Sequence, residues 1–318
     1  MSAVHQTKKG QFMKKILIFI LSLLLLTCCF VGCGNKEEKG SKKLKYTKHS
    51  DYYSVSIGKC KDENIIIPAE HKKLPVKVVG DFSNSLTLNS IVIPDSVTVM
   101  QSGAFEGCKY LESVTLSKNL KEIPSGAFTD CERLKSIIIP EGILSIGNVN
   151  VDLGFSAQSG AFRNTAINDI VLPESLQVIG DGTFSGCQEL KTIVIPENVW
   201  YIGTQAFDEC SGLENVIISE NVTYIGNSAF DGCSGLEGVI IPENVTYIGS
   251  GAFYGCTNLK EATIPESITY LAPTAFEKCS SLTDIYYTGT ISQWNSLIND
   301  ISNFNAFIIH CSDGDIVK

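Results

Sequence analysis

Three kinds of side chain in this 318-residue sequence recur at spacings that matter for chemistry: cysteines, carboxylates and tyrosines. Seven cysteines, Cys108, Cys131, Cys187, Cys210, Cys233, Cys256 and Cys279, occupy one position of a repeat. Zinc sites take ligand pairs two to four residues apart, and a 23-residue step offers none. Stacked coils would bring such cysteines into disulfide range, yet an odd number cannot all pair. The reading is a column of buried free thiols acting as small hydrophobes. Cys60 and Cys311 fall outside the column, with no partner assigned. A second column is acidic: Asp95, Glu141, Glu174, Glu197, Glu220, Glu243 and Glu266, interrupted by Lys118. Carboxylates stacked about 5 Å apart make either a solvated rim or a track for a cation or basic partner. The third column is aromatic: Tyr201, Tyr224, Tyr247 and Tyr270, with Trp200 beside the first. Rings facing outward would suit sugar faces or protein contacts; rings leaning inward would be one more packing ladder.

Other chemistry is missing from the pattern. His49, His71 and His310 are the histidines beyond the leader, and none sits in a metal or nucleophile motif. Gly180-Asp181-Gly182 lacks the third glycine and the long preceding strand of a dinucleotide site. The sequons Asn221-Val222-Thr223 and Asn244-Val245-Thr246 arise from the repeat itself and read as packing. The sequence therefore implies no enzyme, no cofactor and no metal. With 25 basic against 34 acidic side chains and a net charge of −9, binding to nucleic acid by bulk charge is excluded. At 44% hydrophobic residues the chain has enough apolar material for a large core.

A period organises that core. Phe82, Phe105 and Phe128 are 23 residues apart, as are Phe184, Phe207, Phe230, Phe253 and Phe276; Phe162 stands between the series after a 34-residue step. Each unit places a cysteine three residues after Phe and a leucine three further on. An apolar triplet ending at proline follows. In the unit of Phe230 these are Cys233, Leu236, Val239-Ile240-Ile241 and Pro242, with Val245 and Ile248 completing it. One short strand per 23 residues cannot build hairpins, but a coil winding once per unit buries its apolar residues against the coils above and below. About nine such coils, 4.8 Å apart, span roughly 45 Å. The middle residue of each triplet points outward: Val92, Thr115, Ile138, Val171, Val194, Ile217, Ile240, Thr263 and Tyr286. This is either β-propensity on a cramped face or an apolar strip for a partner.

From Phe82 to Tyr287 the motif resembles the BspA-type (Treponema pallidum-type) leucine-rich repeats of bacterial surface proteins. The resemblance implies a repeat solenoid, a right-handed coil with a parallel β-sheet of very short strands and terminal caps. Residues 50–81 form the first cap, with Ile65-Ile66-Ile67-Pro68 as a first strand, and 288–318 the closing one. It also implies adhesion to host or matrix protein, glycan or other cells. Departures are local: Ser85 and Asn164 take cysteine positions, Ser117 and Ser219 replace prolines, and an insertion within 147–159 must bulge as a loop.

Upstream, Lys14 and Lys15 precede an apolar run from Ile16 to Val31, too short for a membrane span and arranged as a secretory signal. Phe30-Val31-Gly32-Cys33 resembles a bacterial lipobox, which implies cleavage after residue 32 and lipidation of Cys33. Met13 reads as the better start, making 1–12 a mis-called extension. Residues 33–49 read as a flexible tether whose lysines either sit in solvent or touch anionic headgroups. The chain is expected to be exported, lipid-anchored at the bacterial cell membrane and exposed on the cell surface, binding an unknown macromolecule. The alternative is a spacer or envelope scaffold with no ligand.

Overall fold

The computed structural model describes residues 40–148, 160–298 and 308–317. These belong to a compact unit, Lys39–Lys318, that closes its own core. Residues 1–39, including the expected signal and Cys33, and residues 149–159 of the insertion lie outside the described residues.

The unit is a parallel β-solenoid of about ten turns, with two short strands in most coils rather than the single one that the motif predicts. The first ladder is the triplet before proline. Asn64–Ile66, Ser90–Val92 and Ser113–Thr115 pair in parallel register, as do Thr192–Val194 with Asn215–Ile217, and Gly238–Ile240 with Glu261–Ile264 and Asp284–Tyr287. The second ladder is seven two-residue strands, from Glu122–Ile123 through Ser145–Ile146, Val178–Ile179, Tyr201–Ile202, Tyr224–Ile225 and Tyr247–Ile248 to Tyr270–Leu271. Two residues are too few to show alternation, so this ladder leaves no period-two signal.

The third side of each coil is the turn that carries Phe. Its second residue after Phe adopts a left-handed conformation in every unit, from Asn84 (φ 53°), Gly107 (φ 69°) and Asp130 (φ 58°) to Gly255 (φ 67°). Gly, Asn and Asp tolerate that region best, which accounts for their dominance in the column; Glu209 (φ 57°) and Lys278 (φ 61°) are the departures. The same column corrects a reading of the motif. Asn164 (φ 54°) fills the left-handed position, and it is Thr165 that stands in for cysteine, its Oγ1 donating to the Phe162 carbonyl at 2.9 Å. Between turns, the Phe N–H donates to the alanine carbonyl of the next coil, as from Phe207 to Ala229 at 2.7 Å.

Inside, the phenylalanines form one continuous stack. Centroid separations run from 5.1 Å for Phe207–Phe230 to 5.6 Å for Phe162–Phe184, and Phe128 meets Phe162 at 5.5 Å across the insertion. Phe82 through Phe253 have no solvent exposure. Full burial of each ring contributes about 1.5–3 kcal/mol before cavity effects.

Both ends are closed. Lys45–Lys48, expected in the tether, is instead a strand pairing antiparallel with Tyr53–Ser56, which lies parallel on Leu74–Val79. Ser41 bonds Ile66 twice, covering the edge of the first ladder. These pairings take up the backbone groups that a tether leaves to water. At the other end a helix, α1 (Ile291–Leu297), starts at a Thr290–Gln293 capping box and buries Trp294 edge-on against Tyr287. The hairpin Ile308–Cys311/Gly314–Val317 follows, held by His310 between Asp284 (2.9 Å) and Asp315 (3.0 Å).

Truncating one stacked ring leaves a cavity lined by two others. Phe230→Ala is expected to cost about 3–5 kcal/mol in denaturant unfolding, whereas Tyr270→Ala, at the half-exposed end of its column, costs about 1 kcal/mol or less. Equal losses at both sites would refute the ladder as the main source of stability.

Candidate functional site

The outward column of the triplets is an exposed apolar feature, and its most exposed members, Ile138 and Val171, lie in the two coils where the triplet forms no strand. Alternation puts Ile137 and Ile139 in the core and Ile138 outside, 73% exposed; Val171 is 57% and Ile240 40% exposed. Val92, Val194, Ile217, Thr263 and Tyr286 are half-buried, and Thr115 is exposed. Tyr286 is partly covered by His310, stacked on its ring at 4.8 Å.

Beside this column runs the acidic one. Asp95, Glu141, Glu174, Glu197, Glu220, Glu243 and Glu266 are all exposed. Several reach along the solenoid axis to a backbone N–H of the next coil: Lys118 N donates to Asp95 (3.0 Å), Glu174 N to Glu141 (3.2 Å) and Glu243 N to Glu220 (3.4 Å). The asparagines that follow reach the other way. Nδ2 of Asn198, Asn221 and Asn244 donates to the carbonyls of Glu174 (2.7 Å), Glu197 (2.6 Å) and Glu220 (2.8 Å). The sequon asparagines thus serve as rungs between backbones, while the N–H donors from the next coil each stabilise one carboxylate, at Asp95, Glu141 and Glu220. Among the described residues, no three His, Cys, Asp or Glu side chains gather as a metal site.

The tyrosine column opens the second ladder and combines both of its sequence readings. Tyr201, Tyr224, Tyr247 and Tyr270 stack face to face at 4.9, 4.6 and 4.8 Å. Exposure grows along the stack, from buried Tyr201 through half-buried Tyr224 and Tyr247 to Tyr270 at 46%. Trp200 is 45% exposed. Ring faces that would stack on sugars are spent on one another, leaving edges, Tyr270 and Trp200 to a partner. Burial drives the Tyr201 hydroxyl well above its ordinary range and pushes Tyr224 up to about 12. The stripe is on the second ladder and the acidic column follows the first, so the two do not form one site.

The thiol column is buried throughout, and all nine described cysteines are free. Its thiols are more than filler. Each Sγ donates to the carbonyl of the Phe in the coil before: Cys108 to Phe82 (3.2 Å), Cys210 to Phe184 (3.1 Å) and Cys279 to Phe253 (3.0 Å) among them. Burial pushes Cys108 and Cys187 up to about 11, so no reactive thiolate forms there.

Sequence reading missed a carboxylate on the Phe turn. Asp208 is half-buried, accepting from Ser185 Oγ (3.3 Å) and Gln205 Nε2 (3.4 Å). Burial, then neighbouring Asp231 and Glu209, pushes it up to about 6.

The coil geometry, the Phe stack and the thiol column together define a leucine-rich-repeat solenoid. The chain belongs to the BspA-type leucine rich repeat region family, whose model matches in six copies over residues 79–150 and 156–292. It is similar to a leucine-rich repeat protein of Bacteroides ovatus: 27% identity, TM-score 0.57, covering 79% of this chain and 71% of that one. A Treponema pallidum leucine rich repeat protein matches at 27% identity and TM-score 0.49, covering 70% of this chain and 90% of the other. No curated protein matches the chain.

Two measurements test the buried groups. A thiol reagent added to native protein should modify half-exposed Cys311 while the seven column thiols react only after denaturation; equal rates would sink the buried column. Asp208 favours the folded state while protonated, a contribution complete below its ordinary 3.8 and lost as pH rises through about 6. Asp208→Asn should therefore melt higher than wild type at about pH 7.5, with the gap closing by about pH 4.

Proposed function

We propose that this chain is a lipid-anchored solenoid on the outside of a bacterial cell, held through Cys33 and offering its surface to macromolecular partners. BspA-type repeats suit protein binding or adhesion rather than catalysis. A rigid stack offers large area without enclosing a reaction. The observation that carries the reading is the outward column, where Ile138 at 73% and Val171 at 57% exposure occupy successive coils. Burying such side chains against a partner is favourable, and the exposed carboxylates beside them select for basic groups at its rim.

Immobilised protein assayed against arrays of matrix proteins and glycans tests this. Saturable binding is expected to weaken at least about tenfold in Ile138→Asp/Val171→Asp, as for a central contact. Tyr270→Ser with Trp200→Ser reports separately on the second ladder. Binding untouched by either pair would refute the surface assignment, and silence across both arrays would leave the spacer reading.

A further inference from the structure

Charge is divided unevenly along the chain. Residues 40–80 hold nine lysines against four carboxylates, whereas 81–318 hold ten basic groups against twenty-eight acidic ones. The N-terminal cap is thus basic and the coils beyond it strongly acidic, a contrast hidden in the overall −9.

The cap's lysines gather at an open cleft of about 550 Å³ lined by Ser41, Lys42, Lys43, Pro68, His71 and Lys72 among others. One wall is fixed by His71, stacked on Tyr46 at 3.8 Å with the rings 5° from parallel. Lys77 is tied to Asp51 at 3.0 Å, but Lys42, Lys43, Lys45, Lys48, Lys72 and Lys73 have no ion-pair partner among the described residues.

The backbone supplies a second observation. Lys72 (φ 51°) and Lys73 (φ 69°) are the two central residues of the tight turn between Glu70–His71 and Leu74–Val79, and Lys43 (φ 65°) is left-handed too. Two-residue turns with both φ values positive favour Asn-Gly or similar pairs. At three positions where glycine is the easier residue, the sequence spends conformational energy to keep an ammonium group.

We propose that this basic cap docks on an anionic lipid bilayer, with phosphate headgroups entering the cleft at Lys42, Lys43 and Lys72, so that the acidic coils are directed away from the membrane. Clustered lysines gain about fivefold in partitioning each at an anionic surface, while the like-charged coils are repelled within a Debye length. The inference extends the surface-display reading by orienting the solenoid, and its test uses neither the acyl anchor nor the array ligand, so each can fail alone.

The chain beginning at residue 34, which retains the whole compact unit, is mixed with vesicles containing about one phosphatidylglycerol in three lipids, or with phosphatidylcholine alone, and separated by flotation. Binding is expected to the anionic vesicles only, and to be released at about 0.5 M salt. Lys43→Gly/Lys72→Gly/Lys73→Gly removes three charges while relieving three left-handed backbones, so it should unfold no earlier than wild type yet partition about 100-fold more weakly. Lys109→Gln/Lys191→Gln/Lys260→Gln, with the same charge loss along the coils, should bind as wild type. Equal effects of the two triples, binding to neutral vesicles, or no anionic binding would overturn the proposal. So would displacement by millimolar inorganic phosphate, which would make the cleft a free-anion site.

Discussion

Every coil depends on the coil next to it. A 23-residue turn of chain has no interior of its own: its Phe needs a ring above and below, and its backbone N–H groups need carbonyls one coil away. Three kinds of bond run along the axis at the same corner. The Phe N–H reaches the next alanine carbonyl, the cysteine thiol reaches the previous Phe carbonyl, and the rings stack at 5.1–5.6 Å. The thiol is suited to its place because it is small and apolar enough to be buried and still carries a proton to donate. Valine would pack there but leave the carbonyl without that donor.

Much of this was legible in the sequence. The Phe spacing fixed the coil, and the alternation Ile137-Ile138-Ile139 fixed which residue faces out. What stayed hidden has physical causes. The second ladder is built from two-residue strands, too short for periodicity to mark. The tyrosines read equally as packing or binding because their stack is graded, buried at Tyr201 and exposed at Tyr270, and a repeating motif carries no such gradient. The motif reads Asn164 one position off because a column defined by backbone conformation lies next to one defined by side-chain packing. Lys45–Lys48 looked like tether because an edge strand with one polar face and lysine ends has a linker's composition.

The faces of the solenoid differ in what they leave free. The tyrosines consume their faces on each other, the acidic side chains and asparagines reach along the axis to neighbouring coils, and the phenylalanines are sealed. The outward column leaves apolar side chains exposed at Ile138, Val171 and Ile240. Positions that the stack does not itself require are the ones that can vary without weakening it.

The unbroken ring contact between Phe128 and Phe162 has an engineering corollary. The step between them is eleven residues longer than the ordinary one, yet the rings stay 5.5 Å apart, like any ordinary pair. That interval accordingly tolerates cargo: a peptide of different length or composition grafted into it is expected to leave the load-carrying column of rings unchanged.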